Sequence, residues 1–302
     1  MAEYINMIMA GTLAGTITRF FLLRMDYRQY PGYPHGMVTH ISLGFIASAI
    51  GAVAIPAIMK PDFAAVTFLA LAAQQFREIR SIERKTLDNL DKTELLKRGN
   101  DYIEGIARTF ESRNYLVMAA SLSVSLAYHL GHLPGAVATA VLLIIFTRSF
   151  MSGETIGDIC EVVPAEINFS GSLLKVDEIG LMNVGLSDMK EKIIKEGLAV
   201  RIKPKGANAQ AVLHDIGQRQ AIAHTAGTVL GIKKDIDTPE LTPLLRKNID
   251  TGEVGFYIVP AIRDMDALIL AVKRTPVLET ARSKPLSTGA GRMAARKNDR
   301  LQ

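Results

Sequence analysis

Residues 4–23 and 37–59 are almost free of charge over the length of a membrane crossing, and nothing else in the sequence restricts the fold as strongly. The first holds one ionised side chain, Arg19, and the second holds none apart from the titratable His40. A helix needs roughly 20 apolar residues to cross about 30 Å of hydrocarbon, and both stretches meet that length. Three shorter apolar stretches follow at 63–76, 115–130 and 133–147. They reach crossing length only by recruiting polar ends, Asp62 or Arg77 for the third and Arg148 for the fifth, whose long stem extends to the headgroups. The fourth and fifth also read as one re-entrant hairpin. The fold class expected is an α-helical multi-pass membrane bundle of about five spans followed by a cytosolic α+β domain.

The hydrophobic content of 48% averages over two unlike halves, since charges recur every few residues after residue 152. The divisions that follow are membrane segments one to three at 1–76, a charged cytosolic loop at 77–114, segments four and five at 115–151, an α/β domain at 152–281 and a basic tail at 282–302. That tail carries six Lys/Arg against one Asp and accounts for the whole net charge of +5. The remaining chain is neutral in sum, which argues against a nucleic-acid partner and for a tail resting on anionic membrane lipid. The single cysteine, Cys160, allows neither an intrachain disulfide nor a cysteine metal cage, and no metal site or cofactor is indicated.

Sidedness follows from the basic residues flanking the apolar stretches. The loops 24–36 and 77–114 hold eleven Lys/Arg and the opposite side holds only Lys60. The expected location is the cell membrane, with the N-terminus outside and the C-terminal half cytosolic. Within the stretches, Gly11 and Gly15 form a GxxxG, Gly44, Ser48 and Ala52 repeat its spacing, and Ala119, Ser121, Ser123 and Ser125 continue it. This pattern suits close helix packing inside one chain or between two copies of a homodimer. Of the ionisable residues in the apolar stretches, Arg19 and Arg148 lie near the cytosolic ends and are expected to snorkel. His40 sits near the inner face and His129 and His132 near the outer one, so they share no metal.

The charged loop holds nine basic and eight acidic residues and no proline, which predicts two surface helices. The second carries Tyr102-Ile103-Glu104-Gly105-Ile106-Ala107. Glu104 and Arg108, with Glu111, form an i, i+4, i+7 row and are the candidate catalytic residues, read otherwise as a structural contact. Gly105 in mid-helix costs about 1 kcal/mol relative to alanine, which points to close approach of another segment or to a local break. The six-residue string resembles the YIEGIA family, as does the layout of membrane segments followed by a soluble half. The resemblance implies a membrane protein of endospore-forming bacteria, acting in sporulation, with no reaction attached.

In the C-terminal half, periodicity predicts strands at 159–169, 173–176, 198–203 and 254–259 and helices at 188–196, 207–223 and 264–273, with a further helix start at Asp237–Glu240. Arg201, Lys203 and Lys205 alternate along one face ahead of Gly206, which opens a helix, and together they form a candidate anion site, read otherwise as protection of a sheet edge. His214 and His224 do not share a helix face and read as packing or surface residues. Signatures of metalloproteases, serine hydrolases and nucleotide-binding loops are missing from the sequence. The function that fits is a regulator or scaffold that presents the cytosolic domain to a protein partner or an anionic ligand. The alternative is a membrane-bound hydrolase, most naturally a protease, using Glu104 or a membrane-proximal serine such as Ser152, Ser170 or Ser172 near Lys175.

Overall fold

A computed structural model describes residues 4–26, 36–59, 63–150, 153–234 and 237–282. The chain divides into two compact units: residues 1–85 with 106–153, and residues 86–105 with 154–302. Lys60, Asp62, Ser152 and the basic tail beyond Arg282 lie outside the described residues, as does the side chain of Arg148.

The N-terminal unit is helical, with small and polar residues taking a large share of its inside and many large apolar ones facing out. Helices α1 (Ile5–Asp26) and α2 (Gly36–Met59) are its first two elements. Along α1, Met7, Gly11, Gly15, Arg19 and Leu22 are buried, while Met9, Leu13, Ile17 and Phe20 are exposed. Inverting the usual arrangement in this way is what a lipid surround requires, because hydrocarbon solvates leucine and phenylalanine as well as a protein core does. The small residues let backbones approach. A Cβ on Gly15 would lie 2.5 Å from Ser48 Oγ, and one on Gly51 would run into the Met118 carbonyl. Hydroxyls add to this: Ser121 Oγ donates to the Ser48 carbonyl of the neighbouring helix at 2.6 Å, while Ser48 Oγ donates along its own helix to the Gly44 carbonyl at 2.7 Å. The GxxxG seam is thus occupied by this chain's own helices.

Helix α3 (Phe63–Lys92) runs from apolar into charged sequence without a break, and α4 (Asn100–Phe150) contains both the fourth and the fifth expected segments. Backbone angles at Gly131 and His132 leave the helical region, with His132 at φ +50°. A Cβ on Gly135 would sit 2.7 Å from the Ala127 carbonyl oxygen. Eight residues of unbroken helix would span about 12 Å, so the chain turns sharply at 131–132. Among the described residues, three helices are long and apolar enough to cross a membrane: Ile5–Leu23, Gly36–Met59 and Asn100–Thr147. This differs from the expected five spans for two reasons. Segments four and five lie on one bent helix, and α3 is diluted by charge.

The C-terminal unit is α+β with two antiparallel sheets. After α5 (Ile156–Ile159) come β1 (Cys160–Ala165), β2 (Ile167–Ser170), β3 (Leu173–Val176), β4 (Ile179–Asn183), α6 (Ser187–Glu196), β5 (Leu198–Pro204), α7 (Ala207–His214) and α8 (Ile216–Leu230). A 3-10 turn at Pro239–Leu241, β6 (Leu244–Lys247), β7 (Val254–Ile258), α9 (Met265–Arg274) and α10 (Glu279–Arg282) complete it. The sheet orders are β1-β5-β7-β6 and β2-β3-β4. Leu174, Val176, Leu181, Ile193, Ala199 and Tyr257 fill one core. The strand expected at 159–169 breaks at Glu166, and its halves join different sheets. The helix expected at 207–223 is interrupted at Asp215, whose Oδ1 accepts from Gln218 N at 3.0 Å and starts α8 afresh. The helix start at Asp237–Glu240 yields only the 3-10 turn.

Candidate functional site

Within the N-terminal unit three helices bring polar side chains, and a fourth an aromatic ring, to one buried place. Arg19 of α1 is 0% exposed, His40 of α2 is 3% and Glu83 of α3 is 4%. The Arg19 Nη2 donates to His40 Nδ1 at 3.0 Å. Its guanidinium carbon lies 5.4 Å from the centre of the Phe110 ring on α4, and the His40 ring lies 4.5 Å from the same ring. Gly44 makes room for the Arg19 stem, because a Cβ there would collide with Arg19 Cγ. Arg19 therefore turns into the bundle and does not snorkel to the surface. Its cost of desolvation is offset by the imidazole, the aromatic face and the nearby Glu83 carboxyl.

Since arginine only donates, His40 Nδ1 must accept, which places the imidazole proton on Nε2 and keeps the ring neutral. Burial pushes the Glu83 carboxyl up to about 7, against the opposing pull of Arg19. One of its oxygens, Oε1, has no hydrogen-bond partner. One turn along α4 from Phe110, Asn114 is 1% exposed, and neither polar atom of its amide has a partner. The sequence carried a partial signal for this cluster in Arg19 and His40. Glu83 sat among so many loop charges that nothing set it apart.

The string Tyr102–Ala107 lies in the first turns of α4, and its first four residues belong to the C-terminal unit. Asp91 Oδ1 accepts from Arg98 N at 2.8 Å and Gln220 Oε1 accepts from Tyr102 N at 2.9 Å, so two side chains hold the approach to α4 and its first turn. The Tyr102 ring meets His224 edge-on at 6.2 Å. Glu94 bridges Arg98 at 2.7 Å and His224 at 3.6 Å. Burial, then Arg98, depresses the His224 pKa against the pull of Glu94 and Asp91. Burial also pushes the Tyr102 phenol up to about 12, partly countered by Arg98. Gly105 answers to close approach, since a Cβ there would lie 3.1 Å from Thr280 Oγ1. Glu104 is half-buried and Arg108 exposed.

The other sequence candidates are placed as follows. β5 is an interior strand between β1 and β7, so its basic residues guard no edge. Arg201 lies between Asp177 at 3.5 Å and Glu253 at 3.6 Å. Lys203 faces Glu161 across the β1 register. Lys205 Nζ donates to the Gly157 and Asp158 carbonyls at 3.1 and 3.0 Å, while Gly206 is exposed at the start of α7. Much of the positive charge there is engaged by the protein itself. Ser170 and Ser172 are exposed and Lys175 is half-buried. Burial pushes the Cys160 thiol up to about 12, which removes it as a nucleophile at neutral pH. Among the described residues no three His, Cys, Asp or Glu side chains are grouped to hold a metal.

Comparison with known proteins adds three findings. The family model described as YIEGIA protein matches residues 7–288. The chain is 42% identical over 285 residues to the protein described as "Uncharacterized protein YphB" of Bacillus subtilis (strain 168), covering 94% of this chain and 96% of that one. No solved structure matches it.

Proposed function

The chain belongs to the YIEGIA family, and from that premise we propose that it is a multi-pass membrane regulator or scaffold that relays the state of its helical bundle to its C-terminal unit. The observation that carries this reading is that α3 and α4 each contribute residues to both units. α3 passes from one to the other after Lys85 and α4 after Gly105, inside the family string. A helix transmits displacement along its axis because each turn is hydrogen-bonded to the next, so a change in the bundle has two helical routes out, beside the plain chain connection after Gly153. The C-terminal unit lies in the cytosol, as eleven basic residues against one support, and meets a protein partner there. Its setting is sporulation, as the family resemblance implies.

Two experiments test this. Sidedness is read with a membrane-impermeant maleimide on intact cells. Cys160 is 1% exposed and contributes little background. Ala2→Cys is expected to label directly and Ser172→Cys only after permeabilisation; the reverse pattern sinks the topology. Function is read by complementing a deletion in an endospore-forming host and counting heat-resistant spores. Inserting two glycines between Gly105 and Ile106 is expected to abolish complementation while the protein stays abundant in the membrane fraction. Full complementation by the insertion, or no spore defect in the deletion, overturns the relay or the sporulation setting respectively.

A further inference from the structure

Among the described side chains of residues 63–85, Glu83 alone is fully buried. Leu69, Ala72 and Ile79 of α3 pack at the seam with Leu22, Ala47, Ile50 and Val117 but are only partly covered, and Val66, Leu71 and Ile82 are exposed. Among these described side chains the most deeply buried is therefore an acid, beside a fully buried arginine. We infer that Glu83 is a proton-binding site: protonated, it holds α3 in the bundle, and ionised, it lets α3 loosen. This names the signal for the proposed relay and rests on that reading only for where the signal goes.

The charges around the site identify which group takes the proton. Arg19 faces Glu83 from α1 and stays charged. His40 of α2 accepts from Arg19, and a second ring proton would set one N–H against another and place two cations together. From α4 come Phe110, the buried Arg113, and Glu111, which pairs at 3.9 Å with Arg80 of α3 itself. Arg84 and Lys85, next on α3, are exposed. Glu83 is the acid of this set that is buried with an oxygen lacking a hydrogen-bond partner. Its proton removes the cost of a carboxylate out of water, whereas ionisation restores attraction to Arg19 but demands solvent. Burial outweighs Arg19 here, so the closed arrangement holds the proton more tightly than an open, hydrated one, and rising pH favours opening. Taking the open carboxyl at 4.5 and the closed one near 7, linkage gives about a tenfold rise in the open fraction between pH 6 and 8.

The test uses the full chain in lipid nanodiscs with carbon-13-labelled glutamate. Infrared difference spectra of the wild type are expected to show a glutamic acid carbonyl band that disappears as pH rises through neutrality, and Glu83→Gln is expected to lack it. Amide exchange along α3, corrected for intrinsic pH dependence, is expected to rise about tenfold from pH 6 to 8 in the wild type and to stay flat in the variant. A wild type with no titrating band overturns the inference without reference to any variant. So does a band that persists in Glu83→Gln, or equal pH dependence of α3 exchange in both proteins. Failure of the relay alone leaves the band and the α3 response intact and removes only the response beyond Lys85.

Discussion

Arg19 donates to His40 across 3.0 Å between α1 and α2 at a place that neither solvent nor lipid reaches. A guanidinium so placed is tolerated only because an imidazole acceptor, an aromatic face and a carboxyl share its surroundings. Removing any of them leaves the others carrying an uncompensated cost. The bundle's polar centre is thus one coupled object with contributions from all four helices of the unit.

Arg19→Met keeps the stem and deletes the charge. It is expected to lower stability by about 3 kcal/mol, since the carboxyl and imidazole lose their shared partner. Arg19→Met combined with Glu83→Gln is expected to recover much of that loss, by a coupling of about 1–3 kcal/mol. Unfolding of the purified proteins in bicelles reads both, and strictly additive losses would separate the two residues.

Gly44 and Gly51 both admit a neighbour on α2, but the neighbours differ. A methyl at Gly44 meets the flexible Arg19 stem, while one at Gly51 meets the Met118 backbone carbonyl. Gly51→Ala is expected to cost about 2–3 kcal/mol and Gly44→Ala about 1 kcal/mol. Thermal unfolding ranks them, and the reverse order would refute the packing described.

Gln218 is 0% exposed and ties down the end of the C-terminal unit: Nε2 donates to the Pro276 carbonyl at 3.1 Å and Oε1 accepts from Leu278 N at 2.7 Å. Gln218→Leu is expected to cost about 2 kcal/mol, because two buried backbone groups lose their partners. Amide exchange at Leu278 and Thr280 should quicken first. Unchanged protection there would mean the segment is held by other contacts.

Stability against pH is expected to run in opposite directions in the two units. The folded pKa of His224 lies below its unfolded value of 6.5, so its contribution is complete above 6.5 and is lost as pH falls through the folded value. The Glu83 contribution is complete below 4.5 and is lost as pH rises through about 7. His224→Gln should flatten the acid limb of exchange in Thr86–Gly105 and α8 and leave α3 upstream of Lys85 unaffected. An unchanged acid limb removes His224 from that role.

Much of the architecture was legible because lipid and water impose simple rules. Long uncharged stretches appear in the structure as apolar helices, and the small-residue spacing as their close approach. What was not legible depended on tertiary partners. No local pattern shows that Glu166 divides one strand into two sheets, or that Asp215 ends one helix and caps the next. Positional reasoning sent Arg19 to the headgroups because its depth is readable from sequence but its rotamer is not; Gly44 across the helix pair settles that. The six-residue string lies in the first turns of α4, where Tyr102 and Gly105 meet Gln220, His224 and Thr280 from more than a hundred residues away, contacts that no local pattern shows.

The relay is the central claim, and amide exchange across pH in the full-length protein in nanodiscs tests it most directly. Raising pH from 6 to 8 is expected to loosen α3 and then Thr86–Gly105 in the wild type, and neither in Glu83→Gln. Two glycines inserted between Lys85 and Thr86 together with two between Gly105 and Ile106 are expected to keep the first response and abolish the second. A response in Thr86–Gly105 that survives both insertions, or that never appears while α3 responds, contradicts a relay carried by these two helices.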